Sequence, residues 1–349
     1  MISSALYSNL GLILTSSFSS FLLALIVTPG FIRLIKKIQF TQSIKEESMD
    51  GTKTPLFNSL HKNKGGTPTM GGLIIWSSTL LICLASIISV KLGITTNSLI
   101  SRSETYIPLF TLISFGILGM VDDYMNVKKI GRFKGLSAHA KTIWMTIISL
   151  IGAYWFYNKL GYSSIYLLGK NIELGLYYIP LFLFVIIGSS NAVNITDGLD
   201  GLASGLSITA LLSLAVISFT QGLFILATFC AVLAGATAAF LWNNIPPAKF
   251  FMGDTGSLAL GATIGVIAML TDTIFVLPFI AFIFVIETLS VIIQLLSKKI
   301  RGKKIFDIAP IHHHFEYNGW KEFTVTMRFW LIGNFVAMLG LVLHFAKVI

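Results

Sequence analysis

Charge is scarce in this chain. Only 11% of its 349 residues are Asp, Glu, Lys or Arg, against about 25% in soluble domains. That shortage excludes a soluble globular enzyme of this size. A mean hydropathy of +0.81 excludes a disordered chain, which needs low hydropathy. Cysteine is scarcer still. Cys83 and Cys230 both lie in apolar stretches and make neither a metal pattern nor a disulfide framework. The N-terminus lacks a basic region ahead of its apolar run, and that run continues into Arg33, Lys36 and Lys37. It reads as a first spanning helix and not as a cleavable signal peptide. Repeats, low-complexity tracts and a second domain are missing too, so residues 1–349 read as one transmembrane domain. The charge that remains is skewed, with 25 basic and 15 acidic residues and a net charge of +10. It sits between apolar segments, so a membrane surface, and no nucleic acid, is the expected neighbour.

Long apolar runs are plentiful. A spanning helix needs about 20 mostly apolar residues. Ten segments qualify: about 10–34, 70–90, 107–123, 142–158, 176–193, 203–221, 222–242, 256–271, 273–296 and 326–346. The expected fold is an all-α polytopic integral membrane protein with about ten transmembrane helices. Gln221-Gly222 is the turn between two of them, and Thr271-Asp272-Thr273 breaks another pair. Ile165–Leu168 and Ile172–Leu176 flank Gly169-Lys170-Asn171, the pattern of a short hairpin outside the bilayer. An even count puts both termini on one side. With both external, 20 of the 25 Lys and Arg residues fall in inner loops, as the positive-inside rule demands.

Most acids share that inner side. Asp122-Asp123 close the third segment. Asp197 and Asp200 lie in Asn191-Ala-Val-Asn194-Ile-Thr-Asp197-Gly198-Leu199-Asp200-Gly201, and Asp254 in Phe251-Met-Gly-Asp254-Thr-Gly-Ser257. Ionisable groups at a membrane boundary are costly unless paired, so they point to function. Carboxylates converging from three loops repel one another unless a cation joins them, and hard oxygen ligands favour Mg²⁺ or Mn²⁺. The bland alternative makes each acid a cap or an ion-pair partner, with Asp254 a candidate N-cap. Asp122 and Asp123 are adjacent and diverge on a helix, so one faces the site and the other a structural partner or a second ligand. Asp197 and Asp200 are spaced to share a helical face.

Gly65-Gly-Thr67-Pro68-Thr69-Met70-Gly71-Gly72 is a loop and helix-start signal. Beside Lys62 and Lys64 its backbone N–H groups also suit a phosphate. The run Lys128-Lys-Ile-Gly-Arg132-Phe-Lys134 reads first as a solvated patch. His312-His313-His314 lie in Ala309-Pro-Ile-His-His-His-Phe-Glu316. Adjacent histidines converge poorly on one metal ion, so phosphate donors and a general acid or base fit them better. Glu287 sits inside an apolar helix and is expected to pair within the bundle. Polar groups gather at one face and not at the midplane, which disfavours a transporter.

Taken in order, Gly66–Gly72, Asp122-Asp-Tyr124, Lys134-Gly-Leu-Ser137, Asn191–Ala203, Phe251–Gly261 and Ala309–Glu316 resemble the bacterial phospho-N-acetylmuramoyl-pentapeptide transferase (MraY) family across essentially the whole chain. The resemblance implies transfer of phospho-MurNAc-pentapeptide from UDP-MurNAc-pentapeptide to undecaprenyl phosphate, giving lipid I and UMP in peptidoglycan synthesis. It implies a ten-helix protein of the bacterial inner membrane, with external termini, a cytoplasmic-face active site, a Mg²⁺ requirement and frequent homodimerisation. By position, Asp254 matches the metal-binding aspartate, and Asp122 and Asp123 the paired catalytic acids. Asn191, Asn194, Asp197, Gly198, Leu199 and Asp200 match the uridine and metal segment. Asn244 matches a site asparagine, His312 heads the histidine cluster with His313 and His314, and Lys64, Thr67 and Thr69 fall in the phosphate-side segment. Direct attack by the lipid phosphate, which Asp122 deprotonates or orients, is the preferred route for such an exchange, and a two-step route through a transiently phosphorylated aspartate is the alternative. The rivals are a related sugar-1-phosphate transferase acting on UDP-GlcNAc and a flippase without chemistry.

Overall fold

The computed structural model describes residues 2–41, 66–95, 97–101, 103–131, 135–167 and 169–347. Among them are ten long helices: α1 (Ile2–Lys37), α2 (Gly72–Lys91), α3 (Ser103–Val127), α4 (Ala138–Trp155), α5 (Tyr178–Thr196), α6 (Leu202–Thr220), α7 (Phe224–Asn244), α8 (Asp254–Leu270), α9 (Phe282–Arg301) and α10 (Glu322–Phe345). The loop at 42–65, with Lys64, and Arg132–Lys134 lie outside the described residues.

Seven helices, namely α1, α2, α3, α5, α6, α7 and α10, are long and apolar enough to cross a membrane by length and composition. The other three depart for visible reasons. α4 opens with His139 and Lys141 and runs on through a five-residue π-helical turn, Phe156–Leu160. α9 carries Glu287 and ends in Lys298, Lys299 and Arg301. α8 has only 17 residues, but every residue from Thr255 to Leu270 is buried. A helix apolar on all sides belongs in the middle of a bundle, and α8 packs along α3 and α5, with α2 against it as well. Around this centre, α1 lies on α7, α6 on α7, and α10 on α6. Leu14, Phe18 and Ile26 of α1 and Phe335, Met338 and Val342 of α10 face outward, toward lipid.

The turns match the sequence reading closely. α6 and α7 join at Gln221-Gly222, and Thr271–Thr273 end α8. Ser164–Leu167 (β1) and Lys170–Glu173 (β2) form a hairpin where one is expected, with Ile165 opposite Ile172, but Lys170 and Asn171, read as turn residues, pair within β2. The hairpin docks on the same end as Asp272, whose carboxylate accepts the Tyr166 N–H at 3.0 and 3.2 Å. The segment expected as one helix over 273–296 is different. It divides at Ala281 into a short turn, Leu277–Ile280, and α9, which extends to Arg301. Pro278 starts the short turn, and Gly340 of α10 approaches Phe279 too closely for a side chain.

Small residues set the crossings at one end of the bundle. A Cβ on Gly72 would overlap the Gly256 backbone, and one on Gly119 would overlap the Asp254 carbonyl. α2, α3 and the start of α8 therefore touch backbone to backbone. Gly71 and Gly72 also donate N–H bonds to Phe251 and Met252 carbonyls at 2.8 and 2.9 Å, and Phe251 donates to Pro68 at 2.8 Å. Gly72→Ala is expected to lower stability by about 1–3 kcal/mol, the usual effect of overpacking. Thermal unfolding in detergent checks this, and an unchanged midpoint would refute the tight crossing.

Candidate active site

The end of α3 and the start of α8 assemble the site. Successive helix positions differ by about 100°, and Asp122 and Asp123 use that divergence. Asp122 faces α4. It accepts hydrogen bonds from Lys141 Nζ at 2.9 Å and from the Leu136 N–H at 2.6 Å. Asp123 faces α8. It accepts from the N–H groups of Asp254 and Thr255 at 3.1 and 3.0 Å, and from Thr255 Oγ1 at 2.6 Å. These N–H groups belong to the first helical turn and have no partner within the helix, and a carboxylate is favoured there by the helix dipole. The N-cap position itself is Gly253, not Asp254, and the capping carboxylate comes from another helix.

Asp254 is thereby released for other work. Its Oδ2 lies 2.5 Å from Lys141 Nζ, and its Oδ1 accepts from Asn194 Nδ2 at 2.8 Å. Asn194 Nδ2 also reaches Ser257 Oγ at 2.9 Å. One ammonium thus joins Asp122 and Asp254. The sequence leads one to expect a cation that reconciles these acids, and the described structure supplies Lys141, a residue the motifs do not single out. A signal is nevertheless present: Ser137 caps α4, so Lys141 sits near a helix start, where positive charge opposes the dipole.

Hard carboxylate oxygens of this kind are the donors a divalent ion would use. Among the described residues no three His, Cys, Asp or Glu gather as a metal-binding set. Mg²⁺, however, is commonly held by one or two carboxylates with substrate phosphates completing its shell. Asp122 and Asp254, already converging on one cation, have that character.

Thr69 is buried beside this cluster. Gly253, at φ 70°, has no room for a side chain, because a Cβ would strike Asp123 Oδ2 and Thr69 Oγ1. Thr67 instead lines a separate recess of about 300 Å³ with Ile32, Lys36, Gly66, Pro68, Ala248 and Lys249. The glycine-rich segment therefore meets two lysines.

The C-terminal end of α5 links the carboxylates to the histidines. Asn194 touches Asp254, and four residues on, Gly198 lies against His312 and His313. A Cβ on Gly198 would overlap His312 Nε2 and lie 3.3 Å from His313 Nε2. The histidines occupy a seven-residue helix, Ile311–Tyr317. Each places Nδ1 near a carboxylate: His312 on Glu287 at 2.9 Å, His313 on Glu316 at 2.7 Å and His314 on Asp307 at 3.1 Å. The expected pairing of Glu287 within the bundle is thus present. Asp197 caps α5 on the same segment.

The remaining expected residues have partners of their own. Asp200 does not share a helical face with Asp197. It lies in the turn before α6, accepts from the Ala248 N–H at 2.9 Å, and its own N–H donates to Glu322 at 2.7 Å. Asn244 is buried and uses its amide on the protein, accepting from the Gly201 N–H at 3.0 Å and donating to the Phe250 carbonyl at 3.1 Å. Asn191 donates back to Ile187 within α5 at 2.8 Å, and Leu199 belongs to the apolar core. Asp200 and Asn244 thus brace the loops, while Asn191 lies one turn before Asn194 on α5.

Relatives decide the family. The chain is 42% identical over 325 residues to the phospho-N-acetylmuramoyl-pentapeptide-transferase of Geobacillus sp. (strain WCH70), covering 92% of this chain and 94% of that protein. It is 40% identical over 335 residues to the Bacillus anthracis protein of the same name, covering 95% and 97%. The chain belongs to the phospho-N-acetylmuramoyl-pentapeptide-transferase family. A third relative of this name, from Anoxybacillus flavithermus (strain DSM 21510 / WK1), is 39% identical over 337 residues, covering 95% of this chain and 98% of its own length. Residues 105–272 of this transferase match glycosyl transferase family 4, and that stretch contains Asp122, Lys141, Asn194 and Asp254.

Proposed function

We propose that the chain transfers phospho-MurNAc-pentapeptide from UDP-MurNAc-pentapeptide to undecaprenyl phosphate in the bacterial cytoplasmic membrane, giving lipid I and UMP. Membership of the family supports the reaction. The observation that carries the chemistry is the meeting of Asp122 and Asp254 at Lys141. The reaction exchanges one phosphate linkage for another, so catalysis consists mainly of positioning and charge neutralisation. Asp254, with Asp122, would hold Mg²⁺, which when bound neutralises the diphosphate of the donor. Lys141 adds a second positive charge to the same place. Asn194 orients the Asp254 carboxylate, and Asp123 holds the helix start that carries it. Asp122, by holding the Lys141 ammonium, orients the lipid phosphate for direct attack on the β-phosphorus with departure of UMP; a phosphate monoester is already anionic near neutral pH and needs little activation. The Asn194–Gly198 segment runs from this cluster to the histidines, so a diphosphate lying along it would have cationic or hydrogen-bonding groups at both ends.

The test is direct. Purified protein incubated with UDP-MurNAc-pentapeptide, undecaprenyl phosphate and Mg²⁺ is expected to release UMP and form lipid-linked product. Chelation of Mg²⁺ is expected to stop it. Release with UDP-GlcNAc in place of the muramoyl donor would overturn the substrate assignment.

A further inference from the structure

Glu287 is a poor residue for packing and a good one for steering. It lies fully buried on α9 among apolar neighbours. Its Oε2 lies 2.9 Å from His312 Nδ1, while its Oε1 has no hydrogen-bond partner. His312 is also fully buried, and its Nε2 likewise has no partner. A pair serving only stability would satisfy its own polar atoms, since buried groups left unbonded are rare. This pair leaves one buried ring nitrogen without a partner, and that nitrogen lies against Gly198, the residue after Asp197 on the segment that starts at Asn194.

The rest of α9 supports the same purpose. Glu287, Ser290, Gln294 and Ser297 are its buried polar residues, at helical spacing on one face. Gln294 accepts from the Ile305 and Phe306 N–H groups at 3.0 and 3.1 Å and donates to the Phe306 carbonyl at 2.8 Å. Ser297 donates to the Lys303 carbonyl at 2.8 Å. This polar stripe fastens the chain that leads into the histidine helix and ends at the histidine itself.

We propose that Glu287 is a positioning residue that acts through His312, accepting the Nδ1–H so that the ring plane is fixed and Nε2, on taking a proton from solvent, donates it in a hydrogen bond to a substrate phosphate oxygen beside Gly198. The proposal rests on the transferase reading. A carboxylate behind a histidine sets its tautomer and orients the ring. It also faces the positive charge that appears when Nε2 takes up a proton. His313, with its Nδ1 on Glu316, repeats the arrangement one residue on.

The experiment combines kinetics and spectroscopy on the full chain in detergent. Glu287→Ala and the near-isosteric Glu287→Gln are expected to lower kcat about 10- to 100-fold, as outer partners of essential ligands do, with KM for the donor nearly unchanged. In a His312→Ala background, Glu287→Ala is expected to add no further loss. Nitrogen-15 spectra of histidine-labelled protein are expected to show His312 as the Nδ1–H tautomer in the wild type and as a tautomer mixture in Glu287→Ala. Wild-type kcat in both Glu287 variants, an additional loss in the His312→Ala background, or an Nε2–H tautomer in the wild type would each overturn the proposal. If Glu287→Ala does not fold, Glu287→Gln decides the kinetic arm. A wild type that binds donor without releasing UMP would end the transferase reading while leaving the tautomer measurement standing.

Discussion

Asp254→Asn is expected to abolish turnover while the protein stays folded. The loss should reach at least about 1,000-fold, on the order of 4 kcal/mol of transition-state stabilisation. The substitution keeps the side-chain shape and leaves the Asp254 N–H bonded to Asp123 at 3.1 Å, so the start of α8 is still capped. What disappears is the charge facing Lys141 at 2.5 Å, together with the carboxylate that fits a divalent ion. UMP release in a single-turnover assay measures the effect, and a thermal midpoint near the wild-type value establishes that the fold survives. Activity like the wild type would remove Asp254 from the reaction. Asp123→Asn is the informative contrast, because Asp123 is spent on N–H groups and a hydroxyl. Its loss should appear as instability first.

Lys141→Met is expected to couple stability to divalent cations. The lysine is only 19% exposed and holds two carboxylates, with a third on the neighbouring residue of α3. Removing one partner of a buried ion pair costs about 3–5 kcal/mol because the other charge is stranded. The thermal midpoint of Lys141→Met without divalent ions should therefore fall by many degrees. Mg²⁺ at millimolar concentration should restore part of that loss, since it would occupy the oxygens the ammonium has left, and should move the wild type much less. Turnover should stay low even with Mg²⁺, because one of two positive charges is missing. A Mg²⁺-induced rise no larger than in the wild type would show that ammonium and metal do not share this place.

Much of this arrangement is legible in the sequence, and the exceptions have a common cause. Long apolar runs reveal the ten helices, because a bilayer leaves the backbone little alternative. They miss the division at Ala281, which depends on how closely Gly340 lets α10 approach. The acids at helix ends stand out because charge is rare in such a chain. Which acid does what is hidden. Asp122 and Asp123 look equivalent in sequence, yet one meets a lysine and the other the N–H groups of a helix 131 residues later. Asn244 and Asp200 fit a binding pattern and also hold loops in place, a second task carried by partners distant in the chain. Lys141 escapes notice because in sequence it counts toward topology alone, while its misfit with its own helix is easily passed over. Both it and the Asp122-Asp123 pair oppose the dipole of the helix they sit on, and in each case the reason lies on another helix.

The placement of the Asp254–Lys141 cluster at a single end of the bundle bears on the fate of the product. The acids and histidines gather at one end of the bundle, while the small hairpin docks on Asp272 at the other, so a sugar bound at the acids would be joined to its carrier on that one side. Delivery of the finished precursor to the outer surface is therefore a second event, requiring a different machine that moves a very polar headgroup through oil.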